Sequence, residues 1–326
     1  MTRGLALFLF VGVAAVGSEP QAQFVDVGDN VKLEVLDWGG TGRPVMLLAG
    51  SGNTAHVYED FAPQLAYCCH VYGITRRGFG ASSKPERGYS TPELAEDVWR
   101  VIEFLKLSKP IGIGHSMAGS ELSFLAQRHS DQLGALIYLD AIADPMDWPW
   151  QNAEFRELTI KSSKGAVGPP PRTKSDNASV DTYRAYQTKI GDVVFPANEI
   201  RNMYEINADG SIGKNRTPSF VSNEIDAGSI RKDYRGIQVP VLALVSVPQP
   251  NSGQSNESPS KDAEQRTVAV RLDQILMQFI HRWEGNLKAA VPDARVVEVP
   301  GAHHYLFQTE QVEVLQEIRA FLKTLK

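Results

Sequence analysis

The sequence has little cysteine, no excess of positive charge and no apolar run long enough to cross a membrane. Among its 326 residues only Cys68 and Cys69 are cysteines, too few for a disulfide framework or a thiolate zinc site. Because adjacent cysteines bond only through a strained ring, we expect two separate buried thiols. Its 33 Lys and Arg residues against 38 Asp and Glu residues give a net charge of −5, which argues against nucleic acid as a partner.

Known motifs for bound cofactors are also missing from the sequence. It contains neither an HExxH motif nor a cluster of Cys and His residues with ligand spacing, so we expect no metal. The Gly-rich fingerprint that binds dinucleotides is absent too. We therefore expect no metal, nicotinamide or flavin cofactor.

The N-terminus carries a short apolar segment. A run from Leu5 to Val16 follows Arg3 and ends in small residues, a pattern typical of a secretory signal peptide. The run falls well short of the ~20 apolar residues that a membrane-spanning helix needs. We predict a signal peptide over residues 1–22, a mature chain that begins between residues 18 and 24, secretion or periplasmic export, and no stable membrane anchor after cleavage.

Apolar strands alternate with amphipathic helices along two parts of the chain. A β-hairpin is predicted from Phe24 to Trp38. Further strands are predicted at 45–50, 70–74, 110–115, 135–140, 239–247 and 294–299, and helices at 54–66, 91–105, 117–128, 268–283 and 311–325. Such alternation is typical of an α/β fold with a mostly parallel sheet.

Roughly a hundred residues interrupt this alternation after Ala141. The segment is rich in aromatic residues and too long for a bare loop, so it predicts an inserted helical cap at 146–236. The cap divides the core domain into parts at 23–145 and 237–326. Trp148 and Trp150 are predicted to bind substrate because they closely follow the strand at 135–140, although packing within the cap is the alternative.

Residues 111–119, IGIGHSMAG, join an apolar strand to a helix through a turn of small residues. A serine at the apex of such a tight bend takes unfavourable backbone angles, so the positions two before and two after it must be small. Gly114 and Ala118 meet this need, although Ala118 departs from the G-x-S-x-G pattern. We predict Ser116 as a nucleophile.

A serine hydroxyl needs a base to remove its proton. His303 and His304 follow the last predicted strand directly, at the sheet edge where loops converge on a site, and we favour His304. His115 precedes the serine, and we expect its side chain to point away and pack. The other histidines have no comparable context: His56, His70, His129 and His281.

With these residues the chain resembles the α/β-hydrolase superfamily of serine hydrolases, with a cap inserted after the sixth strand. LLAGSG at 47–52 resembles the oxyanion loop of the family, and TRRGFGASS at 75–83 resembles its Arg-Gly-x-Gly-x-Ser signature. PGAHH resembles the family's Pro-Gly-x-x-His ending, whose final histidine is the base, and this favours His304. The resemblance implies an eight-stranded sheet with helices on both faces.

Two backbone donors are needed for the oxyanion that forms on the attacked carbonyl. The amide of Met117 follows from the bend itself. The resemblance implies that the amide of Ser51 is the second donor, with Gly52 as the alternative.

The acid of the triad is harder to assign. Most relatives carry it after the seventh strand, but Gln249 stands there, and a neutral amide cannot stabilise an imidazolium as a carboxylate does. Asp140 is similar in position to the acid of haloalkane dehalogenases, and it lies between Ser116 and His304 in the chain order typical of the family. We favour Asp140. The alternatives are Asp144, Glu257 and Asp262.

Serine as the nucleophile argues against the dehalogenases and epoxide hydrolases of this superfamily, which attack with aspartate. It favours acyl transfer to water. We predict a carboxylesterase whose partner is a small-molecule, fairly apolar ester. An amidase, a lactonase, a C–C bond hydrolase, a lyase and a non-catalytic ligand-binding relative remain alternatives.

Overall fold

One mostly parallel sheet runs through the part of the chain that the computed structural model describes, residues 19–163, 170–190, 192–249 and 263–325. Its strands are β1 (Gln21–Asp26), β2 (Lys32–Gly39), β3 (Arg43–Leu48), β4 (Cys69–Ile74), β5 (Ile111–His115), β6 (Ala135–Leu139), β9 (Val241–Val247) and β10 (Arg295–Pro300). Their spatial order is β1-β2-β4-β3-β5-β6-β9-β10. Strand β2 is antiparallel to β1 and β4, and the other pairs are parallel. The predicted eight-stranded α/β sheet is confirmed.

Helices cover both faces of this sheet. They are α1 (Ala62–Leu65), α2 (Thr91–Phe104), α3 (Ala118–His129), α4 (Ala153–Ser163), α5 (Val180–Ile190), α6 (Ala197–Met203), α7 (Ser219–Ala227), α8 (Ala263–Ala290), α9 (Leu306–Thr309) and α10 (Gln311–Leu322). One apolar core lies under α2, α3 and α8, and a second lies under α1, α9 and α10. Strands β5 and β6 are buried at every residue, which explains their continuous apolar sequence.

The continuous helix predicted at 54–66 is wrong. A 3₁₀ turn at Ala55–Tyr58 comes first and is separated from the single-turn α1. Pro63 lies at the start of α1, where its missing N–H is harmless. In one longer helix its ring would clash with the carbonyl four residues earlier, so the helix cannot continue through this position.

The expectation of two buried thiols is wrong for one of them. Cys69 is buried at the start of β4, whereas Cys68 is exposed in the turn that precedes the strand. The pattern of apolar neighbours could not separate a strand residue from a turn residue at this boundary.

Between β6 and β9 the chain forms α4 to α7 and a two-stranded hairpin of β7 (Tyr204–Ile206) and β8 (Ile212–Asn215). Helix α4 packs against α8. The middle of the insertion has a small apolar core of its own, made by Val180, Tyr183, Ile200 and Ile212. The insertion is helical, as the sequence indicates, and the hairpin adds to it. The cap boundaries at 146–236 stay a prediction.

Residues 1–18, which carry most of the predicted signal peptide, lie outside the described residues. In the described part, none of the helices combines the length and the apolar character needed to span a bilayer.

Candidate active site

Ser116 lies at a strained bend between β5 and α3. Its φ of 55° is in the left-handed region, which costs a non-glycine residue about 1–2 kcal/mol. The serine amide donates to the carbonyl of Leu139 at 3.2 Å, so the bend is tied to the end of β6. The neighbouring residue Ala118 is fully buried. The bend therefore accommodates alanine where the motif usually has glycine.

Gly119, the next residue, cannot be replaced by a residue with a side chain. A Cβ built there would lie only 2.0 Å from the carbonyl oxygen of Ala141, closer than any non-bonded contact allows. The first turn of α3 thus packs directly on the chain just after Asp140. This close approach brings the predicted nucleophile and the predicted acid to the same sheet edge.

His304 and Asp140 form a hydrogen bond at that edge. The distance from His304 Nδ1 to Asp140 Oδ2 is 2.6 Å. The other carboxylate oxygen, Oδ1, accepts from the amide of Ser246 at 3.0 Å, so both oxygens have partners. Since Nδ1 faces the carboxylate and donates to it, Nε2 of His304 is the nitrogen that can accept a proton.

Ser116 and His304 lie on adjacent segments. The ring of His115, which directly precedes the serine, is 4.6 Å from the ring of His304 between centroids. Ser116 follows β5, Asp140 follows β6 and His304 follows β10, and all three strands are parallel. The structure thus gathers the three predicted residues at the carboxyl ends of the strands.

Of the alternative acids, Asp144 lies within the described residues, and it bonds to groups other than His304. Asp144 accepts instead from the amides of Met146 and Lys232 and from the side chain of Arg231. Glu257 and Asp262 lie outside the described residues. The side chain of Gln249 lies beside Gly301, where an added Cβ would be 3.4 Å from its Oε1.

Four other histidines are engaged elsewhere. The partners are Glu34 for His56, Asp37 for His70, Glu298 for His281, and the ring of Trp99 for His129. His303 is near the site, but its Nδ1 accepts from the amide of Tyr305 at 3.1 Å. His304, by contrast, bonds to Asp140 at the carboxyl edge of the sheet.

His115 is buried and lies beneath the loop that carries His304. Burial and the nearby His304 ring lower its pKa well below the usual value, so the ring is neutral. A carbonyl oxygen can only accept, so Nε2 of His115 donates to the carbonyl of His304 at 3.0 Å. The expected packing role therefore includes a hydrogen bond that holds the base loop.

The predicted oxyanion loop lies against the nucleophile. A Cβ built on Gly50 would be 2.7 Å from Nδ1 of His115 and 3.1 Å from Cβ of Ser116. The loop closes as a turn in which the amide of Asn53 donates to the carbonyl of Gly50 at 3.4 Å. Ser51 and Gly52 are exposed within this turn. Their roles, and that of the Met117 amide, stay predictions.

A buried ion pair between Arg76 and Glu121 holds the oxyanion loop. The guanidinium of Arg76 donates to the carbonyl of Ala49 at 2.8 Å and to Glu121 Oε1 at 2.6 Å. Because Glu121 is on α3, the pair ties the oxyanion loop to the helix that follows Ser116. In the sequence Arg76 directly precedes the Arg-Gly-x-Gly-x-Ser signature, which begins at Arg77, and nothing there indicated that Glu121 is its partner.

Trp148 and Trp150 contact other aromatic residues of the chain. Trp148 stacks on Trp283 of α8 with centroids 5.6 Å apart, and Trp150 meets Phe155 of α4 edge-on at 5.7 Å. Both tryptophans are about half exposed, at 42% and 50%. Their predicted role in substrate binding stays a prediction, and their observed contacts are packing contacts.

Comparison with known proteins places the chain in a family. The model of the alpha/beta hydrolase family matches residues 45–317. The chain therefore belongs to the alpha/beta hydrolase family, and the resemblance seen in its sequence is confirmed.

Alignments with several known proteins extend over nearly the whole chain. The 2-(acetamidomethylene)succinate hydrolase of Mesorhizobium japonicum is 24% identical over 305 residues, which cover 91% of this chain and 94% of that protein. The crystal structure of E-2-(acetamidomethylene)succinate hydrolase has a TM-score of 0.64 at 20% identity and covers 94% of this chain and 100% of its own. A marine microorganism esterase has a TM-score of 0.58 at 22% identity, with coverages of 90% and 100%. Family and relatives support hydrolase activity.

Proposed function

We propose that this protein is a serine hydrolase that cleaves small to medium, fairly apolar carboxylic esters. The observation that carries the proposal is the hydrogen bond between His304 and Asp140 at the same sheet edge as Ser116, which has a left-handed backbone conformation. A histidine oriented by a carboxylate and adjacent to such a serine is the arrangement that activates an alcohol for attack on a carbonyl.

In the proposed reaction, Oγ of Ser116 attacks the ester carbonyl while Nε2 of His304 takes its proton. Asp140 stabilises the imidazolium that forms. The negative oxygen of the tetrahedral intermediate accepts hydrogen bonds from the amides of Met117 and Ser51. Collapse of the intermediate expels the alcohol, which receives the proton from His304. Water then attacks the acyl-enzyme by the same route and releases the acid.

Amide hydrolysis on the same residues is the second candidate function. The relative from Mesorhizobium japonicum acts on 2-(acetamidomethylene)succinate, whose name includes an acetamido group. The same triad can protonate an amine leaving group, since His304 gives back the proton that it took from the serine.

A matched panel of substrates tests the proposal. We would measure turnover of p-nitrophenyl esters from acetyl to octanoyl beside the corresponding p-nitroanilides, and labelling by a fluorophosphonate probe. We expect labelling and preferential turnover of the esters. Faster turnover of the anilides would assign an amidase, and ligand binding with neither turnover nor labelling would contradict a hydrolase.

Alanine at Trp148 or Trp150 tests the predicted role of these residues in substrate binding. We expect each substitution to change the preferred acyl length more than it changes the rate of fluorophosphonate labelling. Loss of the Trp148–Trp283 stack should also lower the free energy of unfolding by ~1 kcal/mol. An unchanged acyl preference together with lowered stability would assign both tryptophans to packing.

Export is proposed from the N-terminal pattern. N-terminal sequencing of the protein recovered outside the cytoplasm should find a first residue between 18 and 24. Cleavage before Gln21 would leave all six residue pairs between β1 and β2 in place. An intact Met1 on the mature protein would contradict the signal peptide.

A further inference from the structure

A fully buried carboxylate of the insertion contacts the oxyanion loop. Glu199 lies on α6, and its side chain accepts three hydrogen bonds. The donors are Nδ2 of Asn53 at 2.9 Å, the amide of Thr54 at 3.0 Å and the hydroxyl of Thr54. A carboxylate buried this completely is rare in proteins, and it is kept only where its oxygens are satisfied.

The contact continues to the loop that carries the predicted base. Oδ1 of Asn53 accepts from the hydroxyl of Tyr305 at 2.8 Å. Burial raises the pKa of Tyr305 to about 12, so the phenol keeps a proton that it can donate. Because the oxygens of Glu199 accept, the NH₂ group of Asn53 faces Glu199, and the amide oxygen is left to face Tyr305.

The three residues form a chain of hydrogen bonds, Glu199–Asn53–Tyr305, that joins three parts of the fold. Asn53 closes the turn that contains Ser51. Tyr305 directly follows His304, and its ring packs 4.8 Å from the ring of His115 between centroids. Removing Glu199 would leave the buried Asn53 amide free to rotate and would deprive the Tyr305 hydroxyl of its fixed acceptor.

We infer that Glu199 is a positioning residue through which the insertion holds the oxyanion loop and the base loop in their reactive arrangement. The inference rests on the proposed function. It predicts an effect on the chemical step, since a displacement of about 1 Å in a reacting group can cost as much as 10²-fold in rate.

Four single variants test the inference. Glu199→Ala removes the acceptor, and Glu199→Gln keeps one oxygen for Asn53 and Thr54. Tyr305→Phe removes only the hydroxyl at the far end of the chain. The control is Asn198→Ala, because Asn198 precedes Glu199 on α6 and its side chain bonds to Glu59 rather than to Asn53, Thr54 or Tyr305.

On the best ester of the panel, we expect Glu199→Ala to lower kcat roughly 10- to 100-fold with KM nearly unchanged. Glu199→Gln should recover part of that loss, and Asn198→Ala should leave kcat within about twofold. Combining Glu199→Ala with Tyr305→Phe should cost less than the product of the single effects, because both act through Asn53. Equal losses in Asn198→Ala and Glu199→Ala would overturn the inference.

Hydrogen–deuterium exchange gives a readout that does not need turnover. Glu199→Gln, which keeps the shape of the side chain, should speed exchange in segments 50–54 and 302–306 relative to the wild type. Unchanged exchange in both segments would overturn the inference whether or not the protein hydrolyses esters. If the wild type exchanges more slowly than Glu199→Gln in these segments but shows no labelling or turnover, the result would contradict the proposed function alone.

Discussion

Replacement of Ser116 by alanine should lower kcat on the best ester about 10⁵- to 10⁶-fold, as the loss of the nucleophile does in a serine protease. The variant keeps the bend, the His304–Asp140 pair and the oxyanion loop, but it has no oxygen to form an acyl-enzyme. The fluorophosphonate probe should therefore no longer label the variant. Initial rates and active-site titration with the probe, measured on purified protein, check both results.

A second substitution at the same position serves as the control for folding. Because Ser116 has a φ of 55°, Ser116→Gly should be as inactive as Ser116→Ala and more stable than it by about 1 kcal/mol. Urea unfolding measures this difference. Turnover that survives in both folded variants would mean that another residue is the nucleophile.

Local patterns predicted the parts of the site that a few consecutive residues define. The bend at Ser116 needs only an apolar strand, small neighbours and a helix, and these all lie within residues 111–119. The predicted bounds of the sheet strands agree with the structure to within a few residues. The signal is clearest at β6, which is buried at every residue and apolar throughout, whereas β1 and β10 are partly exposed.

Contacts between distant residues were harder to predict. Asp140 and His304 are 164 positions apart, and only chain order and family resemblance pointed to their pairing. The residues around Glu199 in the sequence give no sign of its role. Its partner Asn53 is 146 positions away in the chain. A glutamate on a short helix is usually solvated, and only the packing of α6 on the turn after β3 makes it a buried acceptor.

The sequence could not show whether the aromatic residues of the insertion pack among themselves or line a substrate site. Large apolar side chains are needed both by a small core and by the wall of an apolar site. Tyr183 belongs to the insertion's own core, and Trp148 stacks on α8. Composition cannot distinguish these uses, because both bury the same kind of surface.

Asp140→Asn should lower kcat about 10⁴-fold while leaving the fold intact. Asp140 has a φ of 46°, and asparagine is among the few residues that tolerate this region. If the new amide oxygen accepts from Ser246, its NH₂ group faces Nδ1 of His304. The imidazole must then carry its hydrogen on Nε2, where it cannot take the serine proton. Steady-state kinetics and urea unfolding of the variant measure both effects.

Asp144→Asn is the matched control, because Asp144 is a buried carboxylate that follows the same strand. It is bonded to Met146, Arg231 and Lys232 rather than to His304, so its substitution should lower the free energy of unfolding and leave kcat within about threefold. The reverse pattern, with activity lost in Asp144→Asn and kept in Asp140→Asn, would move the acid of the triad to Asp144. Loss of activity only in the Asp140 variant would show that His304 depends on the carboxylate beside it, since both variants change one oxygen to nitrogen.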